Sequence, residues 1–305
     1  MEIEVGGVLR HACLTCGGSC QGVQVPLVSE AEVTRVHEQA GKLGVSDPVT
    51  DGRLRRVGGR CVFLDDANLC RIHAEWGLLA KPTVCRQYPM VAVRVGESMR
   101  VGIDPGCFTA IQTWRTGPEV PPGSLLSSAS PHPPQVDALE NQILAILDAQ
   151  DALGPALAIV CQEGGAWPEA FLTRWLAAVK GIGLTELLAD PDTSPSLSES
   201  LGPMAQAIAT WDVPPGPPTL SDEATEYALD AVQRMVWLRL CAKLPSPAVV
   251  ALLSLAGAVT CAWTHPGDDE AFGRALAGWC RAIRAPAVLG RLLPSPSALQ
   301  QLVEG

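Results

Sequence analysis

Seven cysteines, Cys13, Cys16, Cys20, Cys61, Cys70, Cys85 and Cys107, crowd into the first 107 residues of a 305-residue chain that has only four more. Cysteines used merely as small core residues would be spread along the sequence. Here the first three come with turn residues, as Cys13-Leu-Thr-Cys16-Gly-Gly-Ser-Cys20. Two cysteines separated by two residues can aim both sulfurs at one centre, and Gly17 and Gly18 relax the backbone around it. Thiolates are soft ligands that select zinc, copper(I) or iron–sulfur clusters. The N-terminal third therefore reads as a metal or cluster site.

The rest of the composition narrows the class. A net charge of −10 and a pI near 5.0 argue against a nucleic-acid binder. No basic segment followed by an apolar run opens the chain, so no signal peptide is expected. The longest apolar stretch, about 248–263, is shorter than the ~20 residues of a membrane span and reads as a buried helix. These features predict a cytoplasmic protein with no nucleic acid and no membrane as partner. In a reducing compartment clustered cysteines act as ligands or catalysts more often than as disulfides. Eleven, an odd number, also cannot pair completely.

The spacing excludes several known patterns. Radical S-adenosylmethionine enzymes place three and then two residues between their cysteines, whereas this turn has two and then three. Eight residues separate Cys61 from Cys70, too many for the second knuckle of a zinc ribbon. No fourth nearby cysteine is followed by proline, as in bacterial ferredoxins.

Composition changes near residue 116. The expected fold class is α+β: a small, loop-rich cysteine domain with short strands over 1–115, a Pro/Ser-rich linker over 116–135, and an all-helical domain over 136–305. In the first part, Ser29-Glu-Ala-Glu32 is a capping-box pattern that predicts a helix through Leu43. Val62-Phe-Leu64 is a strand candidate, and 91–95 with 99–103 form a hairpin about Gly96-Glu-Ser98. In the second part, helical periodicity covers about 136–150, 152–162, 167–180, 220–243, 247–264, 268–284 and 296–303. Prolines at 191–195 and 214–218 interrupt it. Cys161, Cys241, Cys261 and Cys280 fall in apolar helical segments and are expected in the core, with most of the tryptophans.

The later cysteines sit in Cys61-Val-Phe-Leu-Asp65, Cys70-Arg-Ile-His73 and Pro82-Thr-Val-Cys85-Arg86-Gln-Tyr88-Pro89. With the first turn, these motifs resemble, in order, those of the CxxCxxCC cysteine-cluster family of zinc- or iron-chelating domains, which includes the flagellin lysine N-methylases. The resemblance spans about residues 10–110. It departs at Ser19-Cys20, where the family has adjacent cysteines, at Val62, where it has proline, and at Pro105-Gly-Cys107, whose order differs. It implies that Cys13, Cys16 and Cys20 are metal ligands and that Cys61, Cys70, Cys85 and Cys107 complete or extend the set. His11 and His73 lie near these ligands. Arg86 would donate hydrogen bonds to cluster sulfur or substrate, or else pair with Asp65 or Asp66. Tyr88 would orient a ligand or simply pack. By the same resemblance the cofactor is an iron–sulfur cluster (4Fe–4S) rather than zinc, with S-adenosylmethionine and a protein substrate in a methyltransferase-like reaction. No residue stands out as a catalytic acid, base or nucleophile. The alternative is a closed zinc site in a structural or partner-docking module.

Overall fold

The structure, a computed structural model, describes residues 2–6, 9–120, 130–132, 138–241, 244 and 246–304. Short strands and loops fill the first third and helices the rest, as an α+β fold requires. Strand β1 (Glu2–Val5) leads to the short helix α1 (Gly18–Gly22) and to α2 (Glu30–Leu43). Two tiny antiparallel ladders follow, β2 (Val49–Thr50) with β3 (Arg53–Leu54), and β4 (Arg56–Val57) with β5 (Arg60–Cys61). Then come α3 (Arg71–Trp76), a 3-10 turn (Leu78–Ala80), α4 (Thr83–Gln87), the hairpin of β6 (Met90–Val95) and β7 (Ser98–Ile103), and α5 (Ala110–Thr113).

The hairpin forms where alternation predicted it. Val95 faces Ser98 across a two-residue turn whose Gly96 has φ 62°, a conformation that glycine adopts without cost. Two parallel strands extend it to the order β1-β7-β6-β8, with β8 at Ser130–His132. That strand falls inside the Pro/Ser-rich 116–135 segment, most of which lies outside the described residues. The strand expected at Val62–Leu64 does not form. The ladder stops at Cys61, and a turn closed by Leu64 N–H to the Cys61 carbonyl (3.0 Å) sends Phe63 inward, where it is 1% exposed.

The helices are α6 (Ala138–Asp148), α7 (Leu153–Val160), α8 (Glu169–Gly181), α9 (Leu184–Leu188), α10 (Pro195–Thr210), α11 (Asp222–Trp237), α12 (Pro247–Thr264), α13 (Asp269–Ala282), α14 (Pro286–Leu292) and α15 (Pro296–Glu304). Periodicity located seven of these segments. It overran the end of α11, which stops before Arg239 at φ 47°. It missed α9, α10 and α14. Helix α10 was hidden because Pro195 reads as a breaker, yet it occupies the first helical turn, where its missing N–H costs nothing. Among the described residues α12 alone is long and apolar enough to cross a membrane, but it is mostly buried between α7, α11 and α13. Its Leu253 carbonyl and Thr260 hydroxyl accept from the Trp279 and Trp175 indoles at 3.0 and 2.9 Å, so both buried indole N–H groups are satisfied.

Two apolar cores of consequence result. A small one contains Val25, Val36, Ala40, Leu54, Phe63 and Ile72, with Cys61, Cys70 and Cys85 packed on its edge. A large one joins β6, β7 and Cys107 to the whole helical bundle. The four later cysteines are all buried in the bundle, as their apolar settings predicted.

Candidate metal centre

The cysteine turn begins extended and ends in α1. Gly17 caps that helix at φ 64°, and a side chain there would collide with the Asn68 carbonyl. Glycine is thus required by both backbone conformation and close approach. The turn thereby meets the loop that carries Cys70. In that loop the Asp65 carboxylate accepts from the N–H groups of Ala67 (2.9 Å) and Leu69 (2.8 Å), an Asx turn of the kind aspartate favours. Cys70 then caps α3, while Cys61 ends β5 beside α1.

Cys85 arrives on α4, whose position is set by Glu32. The capping box forms only in part. The Ser29 hydroxyl accepts from Glu32 N–H (3.2 Å), but the Glu32 carboxylate, 3% exposed, accepts from Val28 N–H (2.8 Å) and from Thr83 N–H at the start of α4 (2.6 Å). Burial pushes this carboxyl pKa up, yet the two N–H donors and Arg35 outweigh it, and the pKa lies below the ordinary value. One buried carboxylate therefore ties α2 to the helix that presents Cys85.

Four segments distant in sequence so bring Cys20, Cys61, Cys70 and Cys85 together, close enough for charge on one to oppose charge on the others. Cys13 and Cys16 lie within the same range of Cys20, and all three cysteines of the turn reach the surface. Burial, followed by this mutual repulsion, raises the Cys20 thiol and pushes Cys61 up to about 11. Cys85 is raised further by its deeper burial. Lys81 is the cation that opposes these shifts at Cys20 and Cys85.

The comparison with known families bears on such a cluster. The CxxCxxCC family model, described as "Putative zinc- or iron-chelating domain", matches residues 12–107. Residues 12–107 are the segment similar to a CxxCxxCC domain. No curated protein and no solved structure matches the chain. The donor chemistry of this segment fits either metal: converging thiols that repel one another as thiolates favour a cation among them. The side chains are not drawn in around one point. Among the described residues no three histidine, cysteine or carboxylate side chains stand close enough to share an ion.

The other expected site residues are placed differently. Cys107 lies on the Ser19 side of α1, buried, with its sulfur 3.5 Å from the Thr109 hydroxyl. Ser19, at the family's missing cysteine, touches Cys107 rather than the four-thiol group. Arg86 donates to the Leu79 carbonyl (2.9 Å) and the Thr83 hydroxyl (3.1 Å) and so fastens α4 to the preceding turn; no ion pair to Asp65 or Asp66 forms. The Tyr88 ring packs on the large core, and its hydroxyl is enclosed beside Asp104 and Cys107 with no protein partner. His11 Nδ1 is 3.2 Å from the Thr113 hydroxyl, and burial lowers its pKa. His73 is exposed on α3.

Sequence reasoning overlooked the residues of the helical half that meet the cysteine turn. Arg281 donates to the Ser19 carbonyl (2.8 Å) and the Gly18 carbonyl (3.4 Å), and its guanidinium lies over the Phe108 ring at 4.8 Å. The Ser196 hydroxyl donates to the Gly18 carbonyl (2.8 Å), and its N–H donates to the Gln21 amide oxygen (3.0 Å). Arg284 grips Asp104 through two bonds of 2.8 and 2.9 Å. Burial alone would raise the Asp104 carboxyl pKa, but Arg284 and the Gly106 N–H hold it below the ordinary value. No spacing rule links Arg281 to Gly18, which is 263 residues away. Between the two halves opens a cleft of about 350 Å³, bordered by Cys16, Gln21, Asn68, Phe108, Glu199 and His265.

Proposed function

We propose that the CxxCxxCC domain holds an iron–sulfur cluster of the 4Fe–4S type and serves a protein-modifying enzyme, similar to the lysine N-methylases, in a reducing compartment such as the cytoplasm. The observation that carries the reading is the convergence of Cys20, Cys61, Cys70 and Cys85 from four separate segments. Cys13 and Cys16 on the exposed lip add donors beyond the four that a closed zinc site uses. Such a cluster supplies redox or Lewis-acid chemistry when bound. The chain's own residues supply enclosure and orientation: the small core excludes water behind Cys61 and Cys85, and Lys81 offsets thiolate charge. The cleft beside Cys16 is the place for a protein side chain and for S-adenosylmethionine, with Glu199 and His265 among its polar borders.

A closed structural zinc site is the second reading, favoured by the fact that the converging thiols, Cys20, Cys61, Cys70 and Cys85, number four. Metal and acid-labile sulfide analysis after anaerobic purification, with a visible spectrum, separates the two. Iron and sulfide in equal amounts with a broad brown absorption support the cluster. Stoichiometric zinc in a colourless protein supports the structural module. A protein that holds neither metal and folds unchanged in chelator defeats both.

A further inference from the structure

Every candidate donor belongs to the CxxCxxCC domain, yet the segment that carries Cys20 is held from outside it. Helix α1 has five residues and no side-chain cap at its start. A helix so short is marginal on its own, because nucleation costs more than one turn returns. Its internal support is Gln21 N–H to the Gly17 carbonyl (3.0 Å) and Val23 N–H to the Ser19 carbonyl (3.1 Å). Beyond these, the Ser19 hydroxyl accepts from Phe108 N–H (3.4 Å), and the anchors on the helix carbonyls come from α13 and the start of α10. Arg281 and Ser196 converge on the carbonyls of Gly18 and Ser19, the two peptide groups just before Cys20. Gly22 lies against the same arginine and Ser194, so that a Cβ there would stand 3.1 Å from each. Gly59, next to β5 and Cys61, is pressed on the Thr193 backbone at φ 70°, where any side chain would collide.

At the two peptides before Cys20 the anchors grip backbone carbonyls, and the Ser196 N–H reaches a side chain, the Gln21 amide oxygen. Orienting the peptides at 18 and 19 fixes the direction of the next Cα–Cβ bond, which is that of Cys20. The guanidinium is committed to carbonyls and to the Phe108 face, so it is not itself a ligand of the centre.

Resting on the metal-binding reading above, we infer that Arg281, assisted by Ser196, is a positioning residue for Cys20, so that the helical half completes a metal centre whose donors it does not supply. The metal of the CxxCxxCC domain and the packing of α13 are then coupled: an intact bundle sets the fourth thiol, and a loaded centre stiffens the contact to α13.

The test uses the full chain isolated anaerobically. Zinc and iron per chain are measured, then the rate of metal loss to a chelator and the sulfur coordination number from X-ray absorption at the edge of the metal present. Cys20→Ser gives the reference for one lost sulfur. Arg281→Ala is expected to release metal about tenfold faster and to show a sulfur count lowered toward that reference. Arg281→Lys, which keeps a donor to the Ser19 carbonyl, is expected to recover part of the loss. Arg281→Ala with wild-type release rate and sulfur count overturns the positioning role. If Arg281→Ala does not fold by circular dichroism, Ser196→Ala carries the test: faster release supports the role, and wild-type release overturns it. A wild-type chain that holds no metal overturns the metal reading itself and this inference with it, whereas a metal-loaded wild type beside an unaltered Arg281→Ala overturns only the inference.

Discussion

The small core beneath the cysteines and the large core of the bundle stabilise themselves by different means. The bundle buries Trp175, Trp279, Phe171 and Phe272 almost completely, together with dozens of aliphatic side chains. Its stability follows from apolar area removed from water. The small core has six buried apolar residues, two-residue strands and loops closed by single hydrogen bonds. That much apolar burial is small against the entropy of ordering so long a segment. The contrast teaches that the bundle folds by packing, while the cysteine lobe has too small a core to do the same and depends on added constraint, whether the metal centre proposed above or support from its neighbour.

Metal removal should divide the two regions most sharply. Structural zinc contributes apparent folding free energies of about 10–16 kcal/mol in small domains. Chelation should therefore abolish amide protection across Glu30–Leu43 and Arg71–Trp76 while Pro247–Thr264 keeps its slow exchange. Simultaneous loss of protection in α2 and α12 would show that the cores are not independent and would break the comparison.

Core truncations come next, at about 3–5 kcal/mol each. Trp279→Ala should lower the melting temperature of the bundle through the lost burial. Phe63→Ala should leave bundle melting nearly unchanged and shorten metal retention in chelator. Equal metal loss in both variants would erase the distinction.

Acid should act on the lobe through Glu32. Its folded pKa lies below the ordinary glutamate value of about 4.3. The stability it contributes is fully present above the unfolded value and is lost as pH falls through the depressed folded one. Glu32→Gln should weaken the lobe at neutral pH and flatten its loss of stability below pH ~4, as followed by fluorescence or exchange of α2. An unchanged acid profile would assign the sensitivity elsewhere, first to Asp104 and its bond to Arg284.

The smallest expected effect is at Ser221, whose hydroxyl accepts from Ala224 N–H at the start of α11 (3.1 Å). Ser221→Ala should cost about 1 kcal/mol of bundle stability and leave metal content untouched.

Local chemistry made part of this architecture legible in the sequence. The Ser29 cap, the Gly96 turn and seven helical segments all depend on neighbours within a few residues. Clustered cysteines with their flanking motifs announced the CxxCxxCC domain. What escaped depends on distant partners. Glu32 reads as a capping glutamate, yet its second role is at Thr83. Strand β1 alternates as Glu2-Ile-Glu-Val5 but is only four residues long, β8 carries no alternation, and the pairing of both is supplied by the hairpin they join. Arg281 and Ser196 act on carbonyls, which every residue possesses, so no residue type at position 18 or 19 could reveal them.

The chain has just two tyrosines, Tyr88 and Tyr227, and both hydroxyls are enclosed without a protein partner. Burial drives both ionisations far above the ordinary tyrosine value. In the folded state no phenolate forms at the alkaline pH where an exposed tyrosine, with its pKa near 10, would already absorb. An ultraviolet titration of the native protein is thus a built-in optical gauge of integrity. It stays dark while the fold is closed, and each step of new absorbance marks the opening of the wall around one ring.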